Sequence, residues 1–252
     1  MTRPVYDFSE RVVVVTGGSR GVGAGVAAAF VAAGAHVVAC GRHEAAVDGA
    51  VFVTADIRKA PEAERVIAKA VEHFGRLDVL INNAGGSPNV LAADASPRFV
   101  EAIVNLNLLA PLWCAQSAHK VMAVQEDGGS IVNVSSVSGM RPSPGSSAYG
   151  AAKAGLINLT ATLAVEWAPV VRVNCVTAGL LDTGAGADFY GGPEGMERAA
   201  ATVPVGRMGT PADVAEACLY LSSDAASYVT GANLVVHGGG EPPPYLGAVA
   251  GT

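Results

Sequence analysis

The feature that most constrains this chain is a repeated alternation of short, almost wholly apolar segments with longer segments of helical spacing. The short segments are rich in β-branched residues and lack the polar residue at every second position that marks a half-exposed strand. Such strands are covered on both faces, as in a parallel sheet between two layers of helices. Seven segments fit this description: Val12–Thr16, His36–Cys40, Val51–Thr54, Asp78–Asn82, Ser130–Val134, Val171–Val176 and Asn233–Val236.

The segments between these predicted strands have the periodicity of amphipathic helices. Helices are predicted over Val26–Ala33, Pro61–Phe74, Pro97–Val124, Ala148–Ala168 and Pro211–Ser222. Loops are predicted around Pro142–Gly145 and over the glycine-rich Gly184–Gly195, and residues 241–252 are predicted to form an irregular tail. We therefore predict one α/β domain over residues 1–252, with a doubly wound (Rossmann-type) fold, a seven-stranded, mostly parallel sheet and helices on both faces.

Composition excludes several classes of protein. Half of the 252 residues are hydrophobic and only 15% are charged, which is too apolar for a disordered chain. The formal net charge of −6 lacks the basic excess that a nucleic-acid or anionic-lipid surface requires, so neither nucleic acid nor a membrane is an expected partner. The first apolar run, Val12–Val15, is too short for the core of a signal peptide, and we expect a cytoplasmic location.

The cysteines indicate neither disulfides nor a metal site. The four are widely scattered, with no CxxC pair and no histidine at a metal-ligand spacing: Cys40, Cys114, Cys175 and Cys218. We expect buried free thiols and no bound metal.

A glycine-rich turn follows the first predicted strand. Gly17–Gly23 reads GGSRGVG and lies between the strand Val12–Thr16 and an apolar helix. Glycines allow the backbone to approach a pyrophosphate closely, and the start of the helix supplies free N–H groups and partial positive charge. The order of strand, glycine turn and helix therefore predicts a dinucleotide-binding site.

The end of the second strand bears on which dinucleotide is bound. An NAD site usually has a carboxylate there for the ribose 2′-hydroxyl, but this position is Gly41, followed by Arg42. Arg42 and Arg20 are suited to binding a 2′-phosphate, which favours NADP(H). Alternatively, both arginines are ordinary surface residues, Glu44 binds the ribose, and the cofactor is NAD(H).

Tyr149 and Lys153 form a candidate acid–base pair. In a helix, residues four apart project from one face, and a nearby ammonium favours the phenolate form of a tyrosine, whose ordinary pKa is about 10. Such a tyrosine can exchange a proton with a carbonyl or alcohol oxygen. The serine-rich segment Val134–Gly139 and the segment Asn82–Gly85 follow two other strands. Both segments are expected at the same edge of the sheet, where doubly wound folds bind ligands.

Together, these residues resemble the short-chain dehydrogenase/reductase family. The resemblance covers nearly the whole chain and rests on features that occur in the family's order: TGGSRGVG at Thr16–Gly23, NNAG at Asn82–Gly85, Asn107, the set Ser136, Tyr149 and Lys153, and the region Gly179–Thr183. The resemblance implies hydride transfer between nicotinamide C4 and a ketone/secondary-alcohol pair. It also implies that Tyr149 is the general acid/base and that Ser136 orients the substrate oxygen, with Ser138 as a secondary candidate. Lys153 would lower the tyrosine pKa and hold the nicotinamide ribose.

The resemblance further implies that Asn107 completes a proton relay through water, with Asn105 as the nearest alternative. Asp56 is similar to the family's adenine-binding acid, and Thr183 to its threonine near the nicotinamide amide. The implied cofactor-binding residues are Gly17, Ser19, Arg20, Gly21, Val22, Gly23, Arg42, Asp56, Ile57, Asn83, Ala84, Gly85, Tyr149, Lys153, Gly179 and Thr183.

Residues 182–206 occupy the position of the family's substrate lid. The segment is glycine-rich and contains the apolar residues Phe189, Tyr190 and Met196, which suit closure over an apolar substrate. The expected partner is a small-molecule carbonyl or alcohol substrate; 3-oxoacyl thioesters, cyclic ketones and steroid-like alcohols are all compatible. A non-catalytic dinucleotide sensor or scaffold with the same fold is the alternative. By resemblance, the long helices Pro97–Val124 and Ala148–Ala168 are expected to pair subunits into a homodimer or homotetramer.

Overall fold

The computed structural model describes residues 6–184 and 190–241. Their seven strands form one sheet in the order β3-β2-β1-β4-β5-β6-β7, and every adjacent pair is parallel. The strands are β1 (Val12–Thr16), β2 (His36–Gly41), β3 (Ala50–Thr54), β4 (Val79–Asn82), β5 (Gly129–Ser136), β6 (Val171–Ala178) and β7 (Asn233–Val236). The predicted doubly wound α/β fold is confirmed. The strand order reverses between β1 and β4, which is where such sheets form a ligand crevice.

Seven α-helices connect or follow these strands in the described residues. They are α1 (Gly21–Ala32), α2 (Ala60–Phe74), α3 (Pro97–Val104), α4 (Ala110–Met122), α5 (Ser147–Trp167), α6 (Pro193–Ala201) and α7 (Pro211–Ser222). Helix α1 begins five residues before the predicted start, because the end of the glycine turn is already helical. Two predicted segments lie partly outside the described residues: the lid at 185–189, which includes Phe189, and the tail at 242–252.

The predicted helix Pro97–Val124 is wrong in one respect, because a π turn at Asn105–Leu109 separates α3 from α4. Pro111 explains the interruption. A proline has no N–H to donate to the carbonyl four residues earlier, here that of Asn107, and its ring crowds that carbonyl. The Ala110 N–H instead donates to the carbonyl of Asn105, five residues back. The wider turn carries Asn107, and such turns are frequent at functional sites.

A second correction concerns the predicted loop Gly184–Gly195, whose last residues are helical. Helix α6 starts at Pro193, which is favoured in the first turn because its missing N–H would have no helical acceptor. Glu194 in the first turn and Arg198 in the last complement the helix dipole. The high glycine content of the segment concealed these signals.

The core forms two layers, one on each face of the sheet. Val12 and Val14 of β1 pack toward α2 and α4, whereas Val13 and Val15 pack toward α1 and α7. This alternation follows from the two-residue periodicity of a strand. All four cysteines are free and buried, as predicted.

An ionic cluster lies at the amino-terminal end of the strands. Asp78, just before β4, is 4% exposed, and its Oδ2 accepts a hydrogen bond of 2.8 Å from the backbone N–H of Val12. Arg76 and Arg11 donate to the same carboxylate at 2.6 and 3.2 Å. Arg76 also contacts Asp127, just before β5, at 3.1 Å. The cluster therefore joins the starts of three neighbouring strands at the edge opposite the ligand crevice.

Within the described part of the chain, one helical segment, the 26-residue Pro97–Met122, has the length and local apolarity of a membrane span. The segment comprises α3, the π turn and α4. Ala110, Cys114 and Ala118 of α4 are fully buried against the sheet layer. An apolar composition is also typical of helices that pack in this way in an α/β core.

Candidate active site

A cleft of about 790 Å³ opens at the carboxyl ends of the strands, around the point where their order reverses. All but one of the residues predicted for the site line it: Gly17, Ser19, Arg20, Gly21, Val22, Gly23, Arg42, Asp56, Ile57, Asn83, Ala84, Gly85, Ser136, Tyr149, Lys153, Gly179 and Thr183. The exception is Asn107, whose neighbour Leu106 lines the cleft instead. The fold thus brings segments that are far apart in the sequence together in one cleft.

The glycine turn is packed backbone against backbone. Gly17 has a φ of +65°, a conformation that favours glycine. A Cβ on Gly23 would lie 2.1 Å from the carbonyl oxygen of Gly17, so only glycine fits at this start of α1. Asn83 Nδ2 donates to the Thr16 carbonyl at 2.9 Å and thereby fixes the turn to the segment after β4. Arg20, the residue before α1, makes no side-chain capping bond, which leaves first-turn N–H groups for an anionic ligand.

Basic side chains surround the end of the cleft beside β2. Arg20 and Arg42 are exposed at its rim. Asp56 also lines the cleft, but its carboxylate is held by Arg58 through Nε–Oδ1 and Nη2–Oδ2 contacts of 2.8 and 2.6 Å. The hydrogen bonds from Arg58 hold the pKa of Asp56 below its ordinary value, and Arg42 acts in the same direction. Sequence analysis did not identify Arg58; its position two residues after a candidate binding acid was the available signal.

Asn107 is fully buried and holds the segment that follows β4. Its Oδ1 accepts from the Gly86 N–H at 2.9 Å, and its Nδ2 donates to the carbonyls of Gly86 and Ile103 at 3.0 and 2.9 Å. A Cβ on Gly85 would lie 2.7 Å from Asn107 Oδ1 and 3.2 Å from Lys153 Nζ. Asn107 therefore lies directly behind Gly85 on the cleft wall. For Asn105, the alternative from the sequence, Oδ1 is buried with no hydrogen-bond partner among the described residues.

Helix α5 places Tyr149 and Lys153 on one face, as their spacing predicts. Lys153 Nζ lies 5.7 Å from the centre of the Tyr149 ring and donates to the Val134 carbonyl at 2.7 Å. Burial lowers the pKa of Lys153 to about 8. Burial also raises the pKa of Tyr149, while hydrogen bonding with Ser136 acts in the opposite direction. Burial is thus the largest influence on the pKa of Tyr149, and Ser136 is the group that opposes it; the lowering by Lys153 that the spacing predicts stays a prediction.

Two glycines bring the serine segment against α5. A Cβ on Gly139 would lie 2.7 Å from the backbone nitrogen of Ala154, and one on Gly150 would lie 2.7 Å from the Ser138 carbonyl oxygen. The short turn Val137–Gly139 can therefore sit directly on the helix. This close packing places the hydroxyl of Ser136, at the end of β5, beside Tyr149.

Comparisons with known proteins agree with this arrangement. A family profile described as enoyl-(acyl carrier protein) reductase matches residues 17–241. A candidate ketoacyl reductase of the granaticin polyketide synthase of Streptomyces violaceoruber is 38% identical over 241 residues, which cover 90% of this chain and 95% of that protein. Human dehydrogenase/reductase SDR family member 4 is 34% identical over 248 residues, 93% of this chain and 88% of that protein. The chain belongs to the short-chain dehydrogenase/reductase family.

Solved structures have the same fold as this chain. The ligand-free structure of the Thermoplasma acidophilum aldohexose dehydrogenase matches with a TM-score of 0.89 at 29% identity, over 94% of this chain and 96% of that one. Short-chain dehydrogenases/reductases are oxidoreductases that use a nicotinamide dinucleotide. The glycine turn fits such a group, because Gly17 and Gly23 keep the space beside the start of α1 free of side chains.

The structure also adds residues to the site that sequence analysis did not propose. Leu106, Leu181 and Cys40 line the cleft together with His43. Tyr190, expected in the lid, lines it as well. Leu106 precedes Asn107 in the π turn, so no regular helical pattern placed it on the cleft wall. Leu181 pairs with Gly209 in an isolated bridge that has no local sequence signal.

Proposed function

We propose that this chain is an NADP(H)-dependent oxidoreductase that interconverts a ketone and a secondary alcohol, with Tyr149 as general acid/base. The observation that carries this proposal is the meeting of Ser136, Tyr149 and Lys153 at the end of β5, in the same cleft as the glycine turn. Two hydroxyl groups beside a buried ammonium are suited to a single substrate oxygen that gains or loses a proton.

Each residue has a distinct task in this proposal. A nicotinamide dinucleotide held at the glycine turn would supply or accept the hydride. Ser136 donates a hydrogen bond to the substrate oxygen, and Tyr149 gives a proton to that oxygen or removes one. A phenol with its ordinary pKa of about 10 carries its proton at neutral pH, and burial moves the pKa of Tyr149 in the same direction, which suits reduction. Lys153 holds the end of β5 through Val134, and Asn107 holds Gly86.

NADP(H) is favoured over NAD(H) by the charges at the end of β2. Arg20 and Arg42 border the cleft, and Gly41 contributes no carboxylate to repel a phosphate. Glu44 also lines the cleft and is the residue that would serve the ribose hydroxyl in an NAD(H) enzyme.

The substitution Gly41→Asp tests this preference. A Cβ there would lie 3.2 Å from the Phe52 ring and 3.4 Å from Ser19 Oγ, so the side chain fits with a small adjustment. We expect kcat/KM for NADPH to fall by about 10- to 100-fold, because the new carboxylate would repel the 2′-phosphate and compete with it for the arginines. The value for NADH should rise. Arg42→Gln is the control: it should lower only the NADPH value. A Gly41→Asp enzyme with unchanged NADPH use would contradict the assignment.

A substrate panel tests the reaction itself. The purified protein is incubated with NADPH or NADH and an acetoacetyl thioester, a cyclic ketone, a steroid ketone or an enoyl thioester, and oxidation of the cofactor is followed by absorbance. We expect turnover with at least one ketone. Turnover with the enoyl thioester alone would instead support the reaction in the family profile's description. Dinucleotide binding without any turnover would support a sensor.

A further inference from the structure

A line of hydrogen bonds leads outward from Ser136, the serine that we propose to bind substrate. Ser136 Oγ accepts from the Ser138 N–H at 3.2 Å, and Ser138 Oγ accepts from the Ser143 hydroxyl at 3.0 Å. The Ser143 oxygen in turn accepts from Arg141 Nη1 at 3.1 Å. The segment between β5 and α5 is thereby connected from the cleft wall to a single guanidinium.

That guanidinium is fixed by a carboxylate from the far end of the chain. Arg141 Nε donates to Glu241 Oε2 at 2.8 Å, and Nη2 contacts the other oxygen of the same carboxylate. This two-point geometry fixes the plane of the guanidinium as well as its position. Glu241 also lies near the cleft, because its charge acts on Tyr190, which lines the cleft. Burial is the main cause of the raised pKa of Tyr190, and the charge of Glu241 raises that pKa further.

The direction of each bond follows from the groups involved. A guanidinium can only donate, so the Ser143 oxygen accepts from Arg141 and the Ser143 proton is directed to Ser138. The Ser138 backbone N–H can also only donate, so it occupies one acceptor site of Ser136 Oγ. The Ser136 proton is then free to point away from Ser138, on the side where Ser136 hydrogen-bonds with Tyr149.

We propose that Arg141, fixed by Glu241, is a positioning residue that sets the orientation of the Ser136 hydroxyl through Ser143 and Ser138. The proposal rests on the proposed function, because it concerns how the substrate oxygen is held. Neither Arg141 nor Glu241 lines the cleft, so the effect passes through the serines rather than through contact with substrate. The pair joins the segment that follows β7 to the segment that carries the serine proposed to bind substrate.

The test is a double-mutant cycle between Arg141→Met and Ser136→Ala, measured as kcat/KM with the best ketone from the panel. We expect Arg141→Met to lower kcat/KM by about tenfold when Ser136 is present, since small misplacements of a reacting group are costly. In the Ser136→Ala background the same substitution should change kcat/KM by less than about twofold, because the group that it positions is gone. A tenfold loss in both backgrounds would overturn the proposal, since it would indicate a general distortion.

Arg65→Met provides a matched control. Arg65 makes a two-point contact with Glu62, and its side chain is 40% exposed, against 39% for Arg141. The control removes a similar surface ion pair on α2 and should leave kcat/KM within about twofold. An equal loss in Arg65→Met and Arg141→Met would overturn the proposed route through the serines.

A measurement without turnover separates this proposal from the proposed function. A wild-type protein that reduces no ketone would overturn the proposed function alone. Urea unfolding of Arg141→Met, Ser143→Ala and the double variant then tests whether Arg141 and Ser143 are linked. If they are coupled, the double variant loses less unfolding free energy than the sum of the losses in the two single variants. Additive losses would overturn the linkage whether or not the enzyme turns over.

Discussion

Tyr149→Phe is expected to lower kcat for ketone reduction by about 10²- to 10⁴-fold, the usual contribution of a positioned acid or base. The phenyl ring keeps the shape that packs near Lys153, whose Nζ lies 5.7 Å from the ring centre. What is lost is the hydroxyl that interacts with Ser136 and, in our proposal, exchanges the proton with substrate. Steady-state kinetics measures the loss. A fluorescence titration with NADPH should give a Kd within about twofold of the wild-type value, because proton exchange takes place only in the transition state and the other implied cofactor contacts remain.

Tyr220→Phe is the matched control for this experiment. Tyr220 lies on α7 and packs partly buried against the core layer on the other side of the sheet. The change removes the same hydroxyl at a position far from the serine segment, so kcat should remain near the wild-type value. If Tyr149→Phe retained more than half of the wild-type kcat, another group would have to supply the proton.

Gly23→Ala is expected to weaken NADPH binding by about 100-fold or more. The added Cβ would lie 2.1 Å from the Gly17 carbonyl oxygen and 2.4 Å from Asn83 Nδ2. Neither neighbour can move freely, because Asn83 is bonded to the Thr16 and Gly17 carbonyls. The turn must shift by a distance on the order of 1 Å, and a displacement of that size is enough for such a loss. Isothermal titration with NADPH measures the change in Kd, and thermal unfolding measures the accompanying loss of stability.

Gly155→Ala in α5 is the corresponding control. Both glycines lie within helices, but the nearest atoms to a Cβ at Gly155 are the flexible end of Leu108, at 3.2 Å. Alanine stabilises a helix interior by about 0.5–1 kcal/mol relative to glycine, so this variant should keep its affinity and its stability. Equal affinities for NADPH in wild type and Gly23→Ala would show that the glycine turn is not the binding element.

The sheet was predictable because its signals are local. Val12–Thr16 and Asn233–Val236 have the same bounds in the structure as in the sequence-based prediction. The position of the cleft followed from topology, since a glycine turn after one strand and polar residues after others must meet at the carboxyl edge. Residues such as Gly23 and Tyr149 could therefore be assigned to one cleft before any contact was known.

The features that could not be predicted depend on contacts between distant segments or on energetic balance. The π turn depends on how Pro111 disturbs a helix whose apolar pattern continues through it. The pairing of Arg141 with Glu241 joins residues 100 positions apart and has no local signal. The direction of the Tyr149 pKa shift depends on how deeply the phenol is buried, and the four-residue spacing to Lys153 contains no information on burial.

The ionic cluster around Asp78 and the cleft occupy opposite ends of the same strands. Substitutions at sites this far apart, with no shared partner, usually have additive effects. Resistance to heat and choice of substrate can therefore be altered independently in this scaffold. A directed-evolution campaign could first select stabilising substitutions around Arg76 in the ionic cluster and then vary the cleft residues around Tyr190, with little epistasis between the two rounds.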